Sequence, residues 1–171
     1  MKSVLITHAD LPLGRRIAKV LWHDPTVSRI LALGEGAMPR AFHSYCDGAP
    51  PRFVYERIDL ARQRSVSELF RSKRVRLLGV DSVVYVPRHG VAPEGPPVVA
   101  GIPARTAEAR LVLHHAQESR SIRSLIALGS AFVYKLAPSN ANQLTERSAL
   151  DLDPDVAPEL RSWIDSDMLF N

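Results

Sequence analysis

The turn after the first apolar segment is where the residue types and spacing of this chain come nearest to ligand chemistry. Residues 4–6 are predicted to form a strand, residues 7–12 a turn, and the residues after them a helix with its apolar positions on one face. Such a turn binds a dinucleotide when it is rich in glycine, because the backbone must bend tightly and let a pyrophosphate approach the helix N-terminus. Gly14 is the only glycine in this stretch. Asp10 is expected to cap the helix that Pro12 begins.

Few other side chains could bind a metal or act as nucleophiles. The single cysteine, Cys46, rules out an internal disulfide and predicts no cysteine-based metal cluster. His114 and His115 are adjacent and lie about 100° apart around a predicted helix, so we expect that they cannot both face one metal ion. The sequence therefore predicts no metal site.

Five apolar segments alternate with segments of helical periodicity. The alternation predicts a three-layer α/β domain, with helices on both faces of a parallel sheet in the strand order 3-2-1-4-5. The predicted strands are residues 4–6, 27–33, 53–58, 80–86 and 122–128, and the predicted helices after the first are residues 63–74, 104–119 and 158–170. We assign residues 136–171, an acidic loop and a C-terminal helix, to the same domain as residues 1–135.

The first turn resembles that of the extended short-chain dehydrogenase/reductase family, the NAD-dependent epimerases and dehydratases, which reads T-G-x-x-G-x-x-G. Thr7 falls on the threonine of this pattern, and Gly14 falls on its third glycine, which allows helix and strand to pack closely. His8 and Leu11 fall on the first two glycines, so that the Leu11 side chain would lie where the pyrophosphate binds. The resemblance implies a Rossmann-type, NAD(P)-binding-like region over residues 1–135. It also implies a site for NAD or NADP at Thr7, Leu11 and Gly14, with cofactor binding either kept or lost.

Three more positions correspond to cofactor contacts of that family. Glu35 falls near the acidic residue that binds the adenosine ribose, and a solvent-facing loop position is its alternative. Asp59 matches the aspartate that contacts adenine, or it caps a turn before the next helix. Arg88 replaces an alanine at the end of the fourth strand, and would either pair with a phosphate or form a salt bridge with Asp10.

The chemistry of the family depends on a serine, a tyrosine and a lysine. Ser130 falls on the serine of the pattern S-S-A-x-V-Y-G, which helps to hold the reacting hydroxyl or carbonyl, and it is the catalytic candidate. The tyrosine and lysine should follow on the helix at residues 158–170, because a lysine four residues away lowers the pKa of the tyrosine that acts as acid and base. That segment contains no Y-x-x-x-K, and Tyr134 and Lys135 are the last tyrosine and lysine of the chain.

The net charge of +4 is unevenly distributed. Residues 136–171 contain seven acidic residues and two arginines, which leaves the rest of the chain at +9. The basic residues are spread over several elements with no aromatic residues interleaved, so we expect a tail that folds over the body and no nucleic-acid partner. No apolar run has membrane-spanning length and no signal peptide is recognisable, which predicts a cytoplasmic protein without a membrane span.

These features favour a degenerate NAD(P)-binding-like Rossmann domain that lacks the catalytic pair and acts as a regulatory or protein-interaction module. The alternative is the nucleotide-binding half of an active NAD(P)-dependent epimerase or oxidoreductase. Since 171 residues are few for a complete epimerase, we expect a protein partner, a fused domain or a continuation of the chain. The family places another strand beside the fifth, so the fifth-strand edge would pair with a second copy in a homodimer, be covered by the tail, or meet that continuation.

Overall fold

A five-stranded parallel sheet organises the chain, in the order β3-β2-β1-β4-β5. The computed structural model describes residues 1–47, 51–88, 104–130, 133–135, 145, 148–153 and 155–170, without the side chains at 104, 105 and 159. The strands are β1 (Lys2–Ile6), β2 (Val27–Gly34), β3 (Phe53–Arg57), β4 (Ser82–Tyr85) and β5 (Ser124–Ala127). The helices are α1 (Pro12–His23), α2 (Gln63–Arg71), α3 (Lys73–Leu78), α4 (Ala104–Glu118) and α5 (Pro158–Phe170), with a 3₁₀ helix at Arg40–Tyr45. None of the helices within these ranges combines the length and the apolar character needed to cross a bilayer.

The central strand β1 pairs in parallel with β2 on one side and with β4 on the other. Val4 lies opposite Ile30 of β2, and Ile6 lies opposite Val84 of β4. The pairings of β3 and β5 continue the sheet outward, also in parallel. The predicted Rossmann-type α/β fold and its strand order are therefore confirmed.

Each face of the sheet has its own apolar layer, because successive residues of a strand point to opposite faces. Leu5 packs in one layer with residues of α2, α3 and α4, and Leu169 and Phe170 of α5 lie against that layer. Val4 and Ile6 pack in the other layer with α1 and the 3₁₀ helix. The sheet is thus covered on both faces, which is the three-layer arrangement expected from the alternating segments.

The segment predicted as one helix over residues 63–74 consists of two helices. Ser72 between them is extended, with ψ of 149°, and its hydroxyl accepts a hydrogen bond from Val75 N at 3.3 Å, which caps the start of α3. Val66, Leu69 and Val75 nevertheless all reach the same apolar layer. The apolar period therefore continues through the break, and this is why the sequence pattern did not reveal it.

The C-terminal part of the chain packs onto the same core as the sheet. Tyr134 forms an antiparallel bridge with Leu150, and Lys135 N donates to Ala149 O at 2.9 Å. Ile164 of α5 is fully buried. Residues 136–144 of the predicted acidic loop lie outside the described residues.

Candidate functional site

The turn between β1 and α1 lies where the carboxyl ends of β1, β2 and β4 meet, the edge at which open α/β sheets bind ligands. Thr7 is fully buried there. Its hydroxyl accepts a hydrogen bond from Val86 N at 2.8 Å and donates one to Val86 O at 3.0 Å, while Thr7 N donates to Val84 O at 3.1 Å. Thr7 therefore fastens the start of the turn to the end of β4.

His8, which stands at the first glycine position of the family pattern, keeps a glycine-like backbone. Its φ is 48°, in the left-handed region that glycine adopts at little cost and other residues adopt rarely. The buried imidazole donates from Nδ1 to Val86 O at 2.7 Å. Residue 8 thus combines a glycine-like backbone with a buried side chain that bonds the end of β4.

Gly14 is the third residue of α1 and lies against the backbone of the loop that precedes the helix. A Cβ at this position would lie 2.0 Å from His8 O and 2.9 Å from Ala9 Cα. Real Cβ atoms do not approach backbone this closely, so any larger residue would push α1 away from the turn. This is the close packing that the resemblance implies for the third glycine.

Asp10 does not cap α1, which corrects the prediction from the sequence. The helix begins without a side-chain cap, and Asp10 Oδ2 instead accepts hydrogen bonds from Glu35 N at 3.1 Å and Gly36 N at 2.8 Å. Ala9 N bonds to the end of β2 and thereby brings the turn alongside two adjacent backbone donors. The Asp10 carboxylate therefore bridges the first turn to the end of β2.

Because Gly34 has no side chain, the Asp10 carboxylate and the Tyr55 hydroxyl can both lie against it. A Cβ at Gly34 would lie 2.2 Å from the Tyr55 hydroxyl oxygen and 2.7 Å from the Asp10 carboxyl group. The Tyr55 hydroxyl donates to Gly36 O at 2.9 Å. Burial, with the nearby charge of Asp10, raises the pKa of Tyr55 to about 12, so this phenol remains a hydrogen-bond donor at neutral pH.

Arg88 reaches back from the end of β4 and forms an ion pair with Glu35, rather than the salt bridge with Asp10 that was one alternative. Both side chains are about 70% shielded, with 26% and 31% of their surface exposed. Burial opposes the charge of Arg88, but the hydrogen bond to Glu35 and the charges of Glu35, Glu108 and Asp10 outweigh it and raise the pKa of the guanidinium. Arg88 thus sits among three carboxylates at the edge of the sheet.

A second contact at this edge joins His8 to Glu108 of α4. His8 Nε2 lies 3.5 Å from Glu108 Oε2, and the two side chains are 1% and 3% exposed. Because Nδ1 carries the proton that bonds Val86 O, Nε2 is the nitrogen that faces the carboxyl group.

The remaining candidates lie around this cluster. Asp59 follows β3 and is a turn residue: its carboxylate accepts a hydrogen bond from Ala61 N at 3.0 Å and pairs with Arg62 at 2.9 Å. Leu11 is partly buried at the start of α1, where its carbonyl accepts the first helical hydrogen bond. Ser130 follows β5, and its carbonyl accepts from Val133 N at 3.2 Å. The structure therefore brings Thr7, Glu35 and Arg88 into one cluster, with Gly14 shaping it from behind.

A small cavity of about 180 Å³ lies between the ends of β4 and β5 and one face of α5. Trp163 and Asp167, four residues apart on α5, line it together with Gly129 and Pro87. The family has its tyrosine and lysine at this spacing on the corresponding helix. At these two positions an indole and a carboxylate stand, which supply neither the phenol nor the ammonium group of that pair.

The buried His8 gives the fold a dependence on pH with a definite sign. Burial lowers the pKa of His8 below 6.5 and outweighs the hydrogen bond to Val86 and the neighbouring carboxylates. The unfolded chain then binds a proton at a higher pH than the folded chain, so the free energy of unfolding is fully retained above 6.5 and falls as the pH drops towards the folded pKa. Burial lowers the pKa of His115 also, which adds a loss in the same direction.

We expect urea denaturation to show that the free energy of unfolding falls as the pH drops below about 6.5, by at most about 1.4 kcal/mol per pH unit and per histidine. His8→Asn should flatten part of this slope, because asparagine tolerates a positive φ and does not titrate. His43→Ala, at an exposed position, is the control and should leave the slope unchanged. A slope in His8→Asn equal to that of the unchanged protein would assign the pH dependence to other groups.

Sequence reasoning missed Glu108 as a member of this cluster. Its neighbours Ala107, Ala109 and Val112 are all buried. A single acidic residue on the apolar side of a helix requires a buried partner. That pattern was the signal that could have indicated the contact with His8.

No protein-family model matches the chain, and no match was found among curated proteins. Solved structures do match. The dTDP-glucose 4,6-dehydratase from Bacillus anthracis, in complex with NAD, superposes with a TM-score of 0.69 at 10% identity, over 99% of this chain and 49% of that one. Yeast methylglyoxal/isovaleraldehyde reductase Gre2, complexed with NADPH, gives 0.68 at 12% identity, over 97% and 51%. A short-chain dehydrogenase/reductase from Serratia marcescens gives 0.61 at 15% identity, over 99% and 68%.

The identities in these comparisons are low, so the likeness concerns the fold. The present chain spans about half the length of the dehydratase and of Gre2.

Proposed function

We propose that this Rossmann-type domain, whose fold is that of NAD(P)-dependent dehydratases and short-chain reductases, acts as a regulatory or protein-interaction module and not as an oxidoreductase. The observation that carries the proposal is the filled edge of the sheet, where Arg88 pairs with Glu35 and Asp10 bonds the backbone after β2. In a working site the pyrophosphate lies at the N-terminus of α1 and an acidic residue after β2 binds ribose hydroxyls. Here the Asp10 carboxylate lies beside the N-terminus of α1, and Glu35 already has a cationic partner.

The missing acid–base pair supports the same proposal. The resemblance implies a tyrosine and a lysine four residues apart on α5, and the sequence of α5 contains neither residue. The turn and α5 thus depart from the family pattern independently, one at the cofactor and the other at the reacting group. Loss of both is expected when the fold is kept for packing and surface rather than for hydride transfer.

The alternative function, the nucleotide-binding half of an active NAD(P)-dependent epimerase or oxidoreductase, is supported by the turn itself. His8 retains a left-handed backbone and Gly14 still contacts it closely. In this alternative Arg88 would leave Glu35 for a phosphate, and NAD or NADP would be bound by residues that now pair with each other. Ser130 would then hold the substrate.

Calorimetric titration with NAD(H) and NADP(H) separates the two functions. If the proposal is right, the chain gives no heat and no thermal stabilisation with nucleotide at up to about 1 mM. Any binding would then have a dissociation constant above about 1 mM, which corresponds to a binding free energy smaller than about 4 kcal/mol. A micromolar constant, or about 8 kcal/mol, would contradict the proposal. In that case Asp59→Ala should weaken binding if the adenine contact of the family is retained. Asp47→Ala, an exposed loop carboxylate, is the matched control.

The assignment of partners rests on the edge of the sheet. Within the described residues no strand pairs with the outer side of β5, and Ile126 on it is 54% exposed. An edge of this kind is suited to pairing with another strand. We propose either a second copy or a fused or separate protein segment at this edge, with residues 136–171 belonging to the same domain through the packing of α5. The cytoplasmic location remains a prediction from the sequence.

A further inference from the structure

Two histidines and a glutamate converge on the last turn of α4. His114 Nε2 and His115 Nδ1 each lie 3.6 Å from Glu118 Oε2. All three ligand atoms lie within 4.8 Å of one another. The two imidazole rings are tilted by 55° with their centroids 5.1 Å apart, so both rings turn toward the same carboxylate.

The sequence predicts that the two histidines cannot face one ion, yet in the structure a ring nitrogen of each lies near the same carboxylate oxygen. Their Cβ atoms do diverge by about 100° around the helix. Glu118, however, is four residues after His114 and three after His115, and residues at both of these spacings are neighbours on a helix surface. The carboxylate therefore lies between the two rings, and the length of the imidazole side chains closes the remaining gap.

We propose that His114, His115 and Glu118 form a binding site for a divalent transition-metal ion, with Zn²⁺ as the ion best suited to them. Zinc is bound at about 2.0 to 2.2 Å by imidazole nitrogen and carboxylate oxygen, which places tetrahedral ligands about 3.4 Å apart. The observed 3.6 Å separations are close to this value. Two nitrogens and one oxygen are a zinc-type donor set, and water completes the coordination on the exposed side.

The surroundings of the site hold the ligands and favour a cation. His115 is 8% exposed and its ring stacks on Phe70 with centroids 5.6 Å apart, so one ligand is fixed by packing. Glu118 is the last residue of α4, where the helix dipole favours positive charge.

The proposed metal site lies away from the edge of the sheet where the carboxyl ends of β1, β2 and β4 meet. The chain after α4 returns to the start of the strands, where Arg123 N donates to Asp81 O at 2.8 Å. Glu108, at the other edge, is ten residues before Glu118, or about 15 Å along the helix. Within the described residues a second group of ligand-type side chains is formed by His8, Glu35 and Glu108, and there Glu35 already pairs with Arg88. A metal at His114, His115 and Glu118 would therefore tie down the end of α4 independently of any nucleotide.

Zinc titration of the untagged, chelator-treated full chain tests the site. We expect one Zn²⁺ per chain by calorimetry and a rise in Tm when zinc is added, because a ligand that binds the folded state stabilises it. His114→Ala and Glu118→Gln, both at exposed positions, should each weaken zinc binding by about tenfold or more. His43→Ala, an exposed histidine on the 3₁₀ helix, should bind zinc as the unchanged protein does.

Cobalt(II) gives a second readout that does not depend on stability. Its visible absorption should show low-symmetry coordination by nitrogen and oxygen in the unchanged chain, and this spectrum should be lost in Glu118→Gln. Zinc affinity unaffected by both His114→Ala and Glu118→Gln, or reduced equally by His43→Ala, would overturn the proposal. Absence of any saturable zinc binding would overturn it also.

Discussion

Replacing Gly14 by alanine is expected to lower the free energy of unfolding by about 3 kcal/mol or more, among the largest effects of any single methyl group in this chain. The added Cβ would lie 2.0 Å from His8 O and 2.7 Å from His8 C. Backbone atoms cannot rotate away as a flexible side chain can, so α1 would have to shift as a body. That shift would also disturb Ala18, which is fully buried against the sheet.

The sign of this effect makes the test informative. In a helix that is not packed so closely, alanine in place of glycine stabilises by up to about 1 kcal/mol. Gly79→Ala is the control, because Gly79 has φ of 62° but nothing within 4 Å of an added Cβ, and it should cost only about 1 to 2 kcal/mol. Urea denaturation of both variants measures the difference. A Gly14→Ala protein as stable as the unchanged one would mean that α1 does not contact the turn as described.

The fold could be predicted because its signals are local and repeated. Residues such as Val4, Leu5 and Ile6 are apolar without interruption, as expected of a strand covered on both faces, and such strands alternate with helical periods along the chain. Strand order then follows from the handedness of crossovers and from the resemblance. No single residue decides the fold class or the strand order, so the unpredicted break at Ser72 left both of these predictions unchanged.

The site could be predicted only in part, because its contacts depend on which backbone atoms meet across the fold. Thr7, Glu35 and Arg88 were identified as site residues, and the structure brings them together. The partner of Arg88 was left open between a phosphate and Asp10, since both alternatives require only that a negative group be near. Asp10 was placed at the wrong donors because an N-cap is a local contact, whereas its actual donors follow β2.

One physical feature links these outcomes. A sheet edge with three strand ends offers backbone donors and acceptors that must be satisfied by a ligand, by water or by the chain itself. In this domain side chains of the chain satisfy several of them: His8 and Thr7 on Val86, and Asp10 on the residues after β2. Such contacts stabilise the fold without a cofactor, and under the proposed function the same contacts would compete with one. Stability measurements on these residues therefore bear on function as well as on folding.

Thr7→Val is the variant for which this competition matters most, and we expect it to lower the free energy of unfolding by about 2 to 3 kcal/mol. Valine has nearly the same shape but no hydroxyl. Val86 N would lose its acceptor at 2.8 Å, and Val86 O would keep only the hydrogen bond from His8. A buried donor left without a partner costs about 1 to 3 kcal/mol, and the lost bond to the carbonyl adds to this.

Thr7→Ser separates the hydroxyl from the methyl group. Serine can keep both hydrogen bonds to Val86 and loses one buried methyl, which costs about 1 kcal/mol. Urea denaturation should therefore rank Thr7→Val clearly below Thr7→Ser, and both below the unchanged protein. If the two variants were equally stable, the hydroxyl would not be holding β4, and Thr7 would be available for the cofactor contact that the resemblance implies. The expected ranking instead assigns the threonine to the closure of the sheet edge, so that a loss of activity or binding in Thr7→Val could not be taken as a cofactor contact.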